Sequence, residues 1–176
     1  KWEKNRKKAY NGSLRHLLKT LTDRFDLRFT FNEGMIIQND NWNSIAGRKK
    51  DPLVREGFSI SMNKKDLFGT SLIIEEEYKP LRSDTLVFPG ATYEQPLLSF
   101  EGRMMVVYMK ESPELAYMME NDSPSSYKQT SYLLLRADSV YFDRDGRYFE
   151  PYMIEQQGYS SWERIGDQLP FNYEQE

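Results

Sequence analysis

The chain has 176 residues, 39% of them apolar, with 12 Tyr, 10 Phe and 3 Trp, which suits a folded domain with a real core and excludes disorder throughout. It has no cysteine, so disulfides and thiolate metal sites are excluded. The net charge of −3 hides an asymmetry, because Lys1 to Arg28 holds nine Lys and Arg against Glu3, Asp23 and Asp26. A helix with a solvated basic face accounts for that surplus, and nucleic acid is not the expected partner.

Met104 to Met109, the longest purely apolar run, falls far short of the roughly 20 residues that cross a membrane, so no transmembrane segment is expected. In chain order, Leu14, Leu17, Leu18, Leu21 and Phe25 recur at helical spacing with Asn11 or Ser13 as cap, predicting an amphipathic helix over 13–24. His16, the chain's one histidine, lies off that stripe and reads as a surface or packing residue. A Ser-His-Asp site would need it, yet no serine here carries nucleophile-elbow glycines.

Leu27, Phe29 and Phe31 alternate with polar residues, and Met35 to Ile37 form a short run, predicting an extended hairpin and then a turn-forming loop from Asn39 to Ser44. Further strands are predicted at Phe58 to Met62, Leu72 to Ile74 with Tyr78, Thr85 to Phe88 and Leu97 to Phe100. Met104 to Met109, apolar on both faces, reads as a central strand. Glu75-Glu76-Glu77 is no metal cluster, since successive strand side chains point to opposite faces. From Ser112 to Gln129 a loop rich in Pro, Ser and Asn holds at most one helical turn, around Leu115, Met118 and Met119.

Thr130 to Pro170 is the most regular stretch. Strands are predicted at Tyr132 to Leu135 and Val140 to Phe142, with Asp145-Gly146 turning a hairpin over Val140 to Phe149. Placing Gly146 at the sixth position of a calcium loop puts Tyr141 and Tyr152 where carboxylates are required, so no metal or other cofactor is expected. Ser160 and Glu163 form a capping-box pattern, and Trp162, Ile165 and Leu169 share the face of a short helix over 160–169 ended by Pro170.

The expected fold class is α+β and mainly β: a single domain over 1–176, an antiparallel sheet or sandwich with an N-terminal amphipathic helix, mostly β over 27–150, and a short C-terminal helix. No strand-helix alternation with Gly-rich turns points to a nucleotide-binding fold.

Three stretches carry a resemblance. Trp2-Glu3-Lys4-Asn5-Arg6-Lys7-Lys8-Ala9-Tyr10-Asn11-Gly12-Ser13-Leu14-Arg15-His16-Leu17-Leu18, then Glu56-Gly57-Phe58, and finally Tyr159-x-x-Trp162-Glu163-Arg164-Ile165-Gly166-Asp167-x-Leu169-Pro170 preceded by Gly158 occur in this order. Together they resemble the C-terminal region of Gram-negative bacterial envelope proteins that carry an N-terminal carboxypeptidase regulatory-like domain. In the last motif Ser160 stands where an aromatic residue would follow the tyrosine.

The resemblance implies that this chain is part of a larger exported protein of the periplasm, outer membrane or cell surface. It implies no peptidase activity and transfers no catalytic residue; Lys19, not Glu, stands three residues after His16, so the His-x-x-Glu zinc arrangement is not formed there. The expected role is a non-catalytic structural or protein-interaction domain, with a protein or glycan of the envelope as partner. In the glycan alternative the exposed aromatics Trp42, Tyr93 and Tyr127 would stack on sugar rings.

Overall fold

A computed structural model describes residues 2–39, 51–63, 79–80, 86–121 and 128–162. The fold is α+β, with antiparallel strands arranged around one long helix.

Helix α1 (Trp2–Tyr10) meets α2 (Leu14–Arg28) at a turn where the Ser13 hydroxyl caps α2 by accepting the His16 amide hydrogen. The spacing predicts an end for α2 near Arg24, but the helix continues to Arg28, because no Gly or Pro interrupts it and the Phe29 amide still donates to the Phe25 carbonyl. Its stripe of Leu14, Leu17, Leu18, Leu21 and Phe25 is buried along its whole length.

Strands β1 (Phe29–Asn32) and β2 (Met35–Gln38) follow as a two-stranded ribbon, which is the predicted hairpin. Helix α3 (Pro52–Glu56) is not anticipated by the sequence reading, which leaves the interval after Ser44 without an element. Asp51 caps it through the Leu53 amide, Pro52 opens it, and Gly57 closes it in the left-handed conformation.

The main sheet has five strands in the order β10-β8-β7-β3-β4, comprising β3 (Phe58–Asn63), β4 (Lys79–Pro80), β7 (Arg103–Tyr108), β8 (Gln129–Leu135) and β10 (Ile154–Gly158). The strand foreseen as central, β7, lies in the middle. Opposed residues share a face, and the inward side chains fall into rows. One row is Phe58–Tyr108–Gln129, the next Ile60–Val106–Ser131, the third Met62–Met104–Leu133.

A smaller sheet, β5-β6-β9, is built from β5 (Val87–Phe88), β6 (Leu97–Leu98) and β9 (Val140–Tyr141). Its Val87, Leu98 and Val140, with Leu86 and Phe142 beside them, join the α2 stripe and the main-sheet rows in one core cluster.

The expected hairpin over Val140 to Phe149 is reduced to a single bridge, Phe142 to Tyr148, because β9 pairs with β6 instead. Its turn is tightly organised. The Asp143 carboxylate accepts the amide hydrogens of Asp145 (2.9 Å) and Arg147 (2.8 Å), and Gly146 takes a φ of 76°. The turn also rests on α2: Arg15 Nε donates to the Asp145 carbonyl at 3.3 Å, and a Cβ on Gly146 would fall onto the Arg15 carbonyl oxygen.

Helix α4 (Leu115–Glu120) has six residues, longer than the one turn expected there. A short 3-10 turn (Pro151–Met153) precedes β10, and α5 (Tyr159–Trp162) follows it. Ile165 and Leu169 of the predicted C-terminal helix lie outside the described residues, as do Leu72 to Ile74, Glu75 to Glu77 and Tyr78. Among the described residues no helix is long and apolar enough to cross a membrane.

Candidate functional site

Of the three aromatics predicted to meet a ligand, Trp42 and Tyr127 lie outside the described residues. Tyr93 is half-buried in the turn before β6, and its groups are engaged. Its hydroxyl donates to Asp26 Oδ1 at 2.6 Å, Phe31 stacks on its ring at 5.5 Å, and the Arg144 guanidinium lies 4.7 Å from its centroid. Arg144 also pairs with Asp26. Burial, reinforced by the Asp26 hydrogen bond, pushes the Tyr93 phenol above its ordinary range. This cluster fastens the β1–β2 ribbon to the turn around Tyr93.

The ribbon itself presents a feature that the sequence reading did not single out. Register pairs Phe31 with Ile36 on the side facing Tyr93, where Ile36 packs against the core and Phe31 stays 55% exposed, while Thr30 pairs with Ile37 and Asn32 with Met35 on the other side. That other side is open. Met35 is 62% exposed and Ile37 45% exposed, with polar Thr30 and Asn32 opposite them. The signal was present as an apolar run, Met35-Ile36-Ile37, in a hairpin too short to bury both faces.

A second feature lies where α1, α4, α5 and the start of β8 converge. A pocket of about 240 Å³ is lined by Lys8 and Asn5 of α1, Glu111 and Glu114 before α4, Gln129, and the rings of Tyr159 and Trp162. The aromatic wall is braced. Tyr117 meets Tyr159 and Trp162 edge-on, at 5.0 and 5.5 Å, and the Trp162 indole N–H donates to Glu120 Oε2 at 2.6 Å. The open end of the sheet is therefore closed partly by Trp162, with Tyr159 buried beneath it.

The polar wall is cross-linked as well. Lys8 Nζ lies 2.6 Å from Glu114, and Asn11 Nδ2 donates to Glu111 at 2.7 Å. Gln129 is only 5% exposed, and its Oε1 has no hydrogen-bond partner among the described residues.

His16 belongs to the packing of this region. Its ring lies against Tyr10, Phe58 and Tyr108, its Nδ1 accepts the Gly12 amide hydrogen at 3.1 Å, and its Nε2 is 3.8 Å from Glu56. Burial pulls its pKa down to about 4 against the opposing pull of the Glu56 carboxylate. Tyr108 beside it is pushed up to about 12 by burial and by Glu111. Glu56 sits below the usual carboxylate range despite partial burial, because Arg55 and Lys110 both bond to it.

Among the described residues no group of three or more His, Asp or Glu is placed to hold a metal ion. No protein-family model, curated protein or solved structure matches this chain.

Proposed function

We propose that this chain is a non-catalytic protein-interaction domain of a Gram-negative bacterial envelope protein, and that the outward face of the β1–β2 ribbon docks its protein partner. The observation that carries this reading is the pair Met35 and Ile37, exposed side by side on a ribbon already fastened to the body through Phe31 and Tyr93. Apolar side chains held in solvent on a secured scaffold suit a binding surface, because the ordering cost of the backbone is met before the partner arrives. Each ribbon strand also has an outer edge that pairs with no other strand among the described residues, a geometry to which an extended peptide segment can add.

Two further observations support the reading. The one histidine is packed among three aromatic rings with Nδ1 occupied by the Gly12 amide, an environment for packing rather than proton transfer. The resemblance at both ends of the chain supports an envelope location, in the periplasm, at the outer membrane or at the cell surface.

The test is a photocrosslinker installed at Ile37 in the protein expressed in its source cells. One discrete envelope adduct is expected, lost in a chain carrying Met35→Ser while the circular-dichroism spectrum is unchanged. An adduct pattern indifferent to Met35→Ser, or adducts confined to the cytosol, would overturn the proposal.

A further inference from the structure

We propose that α1 and α4 together seat this domain on an anionic phospholipid surface, α1 supplying the cations and α4 the apolar side chains that enter the lipid. The two helices meet at one end of the main sheet. There Lys8 Nζ of α1 lies 2.6 Å from Glu114, the residue that opens α4, and Asn11 holds Glu111.

Each helix has an outward face that the fold leaves unused. On α1, Asn5, Lys8 and Ala9 turn toward the body. Lys4, Arg6 and Lys7 are exposed and pair with no carboxylate among the described residues. On α4, Tyr117 and Glu120 turn inward to Tyr159 and Trp162. Leu115 and Met119, one helical turn apart, therefore stand on the opposite side, 68% and 74% exposed. Trp2, at the start of α1, is 81% exposed.

The combination selects the partner. A protein surface would need a fitted hollow for each of these projecting side chains, whereas the interface of a bilayer takes Leu, Met and Trp without one. Cations beside them meet the lipid phosphates, each contributing roughly a factor of five in affinity. The carboxylates of this end are held within the fold, Glu114 by Lys8, Glu111 by Asn11 and Glu120 by the Trp162 indole. Lys1 to Arg28 is basic within a chain whose net charge is −3, so the field of the whole molecule turns this end toward an anionic surface and the rest away. A nucleic acid would satisfy the cations but gain nothing from Leu115 and Met119.

The test is co-sedimentation of the 176-residue chain with vesicles of phosphatidylglycerol and phosphatidylethanolamine, and with vesicles of phosphatidylcholine alone. Binding to the anionic vesicles only, weakening as salt rises, is expected. Replacing Lys4, Arg6 and Lys7 together by Gln should lower the affinity roughly 100-fold. Leu115→Ser with Met119→Ser should lower it about tenfold. Both chains should keep the circular-dichroism spectrum and melting temperature, because every replaced side chain is exposed. The proposal is overturned if anionic vesicles bind no protein, if phosphatidylcholine binds it equally, or if either set of replacements leaves binding unchanged. It is also overturned if duplex DNA at matched phosphate concentration binds the chain more tightly than the vesicles do, which would make this a nucleic-acid face.

Discussion

Acidification should begin to destabilise this protein through His16 before its carboxylates titrate. The folded chain holds the imidazole at a pKa of about 4 against an ordinary value of 6.5. Between those limits the unfolded chain binds a proton that the native state refuses, so stability is full above pH 6.5 and falls as pH drops through 4. The groups facing the ring explain why no partner rescues the charged form. Glu56 from α3 favours it, but Lys110 after β7 and Lys19 on α2 oppose it, and Tyr10, Phe58 and Tyr108 exclude water. The gap corresponds to roughly 3 kcal/mol in all, with a slope approaching about 1.4 kcal/mol per pH unit. Glu56, also held low by Arg55 and Lys110, adds its own loss only at more acid pH, so the window from pH 6.5 to 5 isolates the histidine. Urea unfolding followed by circular dichroism at half-unit pH steps measures the slope. The imidazole of the chain's one histidine gives a single NMR titration curve. His16→Asn, whose side-chain oxygen can still accept the Gly12 amide hydrogen, should be less stable at pH 7 and nearly flat across the window. An imidazole titrating near 6.5 in the folded protein, or an unchanged slope in His16→Asn, would refute the reasoning.

Two further outcomes follow from the fold. Gly146→Ala must place a Cβ at a φ of 76° and against the Arg15 carbonyl, and should cost about 1–3 kcal/mol, read as a lower urea midpoint at constant m-value. Asp51 both pairs with Arg24 at 2.9 Å and caps α3 through the Leu53 amide, so Asp51→Ala should cost about 3 kcal/mol; Asp51→Asn, which keeps the cap, should recover about 1 kcal/mol of that in the same assay.

Periodicity made the core legible because burial follows the geometry of the element. The alternation of Phe58, Ile60 and Met62 and the stripe from Leu14 to Phe25 are both buried as their spacing requires. What failed was pairing at a distance. The local signal at Asp145-Gly146 is a hairpin turn, and the turn is there, but Val140 and Tyr141 hydrogen-bond to Leu98 and Leu97, a choice that no local pattern encodes. Helix α3 does carry start and stop signals, Asp51-Pro52 before it and Gly57 after it, but at five residues it is too short to show a helical period between them. The pocket was not legible at all, since Lys8, Glu111, Gln129 and Trp162 come together only once α1 and α5 have closed over one end of the sheet.

Strand β8 turns two polar residues and one apolar residue inward, Gln129, Ser131 and Leu133. A strand that turns polar residues toward a core is under a constraint other than packing, because Val or Leu at those positions would bury more apolar surface with no amide or hydroxyl to satisfy. The first row of the sheet runs from Phe58 through Tyr108 to Gln129, becoming more polar toward α1, and it is at that polar end that the sheet meets the pocket. Ser131 is accounted for by the first turn of α5, which it anchors. Gln129, one strand-face step away and as deeply buried, anchors nothing through its carbonyl. Its oxygen lies instead against Gly12 in the turn between α1 and α2, so Gln129→Leu, which removes a buried unpaired acceptor, should leave the urea midpoint unchanged or raise it, and a lower midpoint at constant m-value would refute this account of the position.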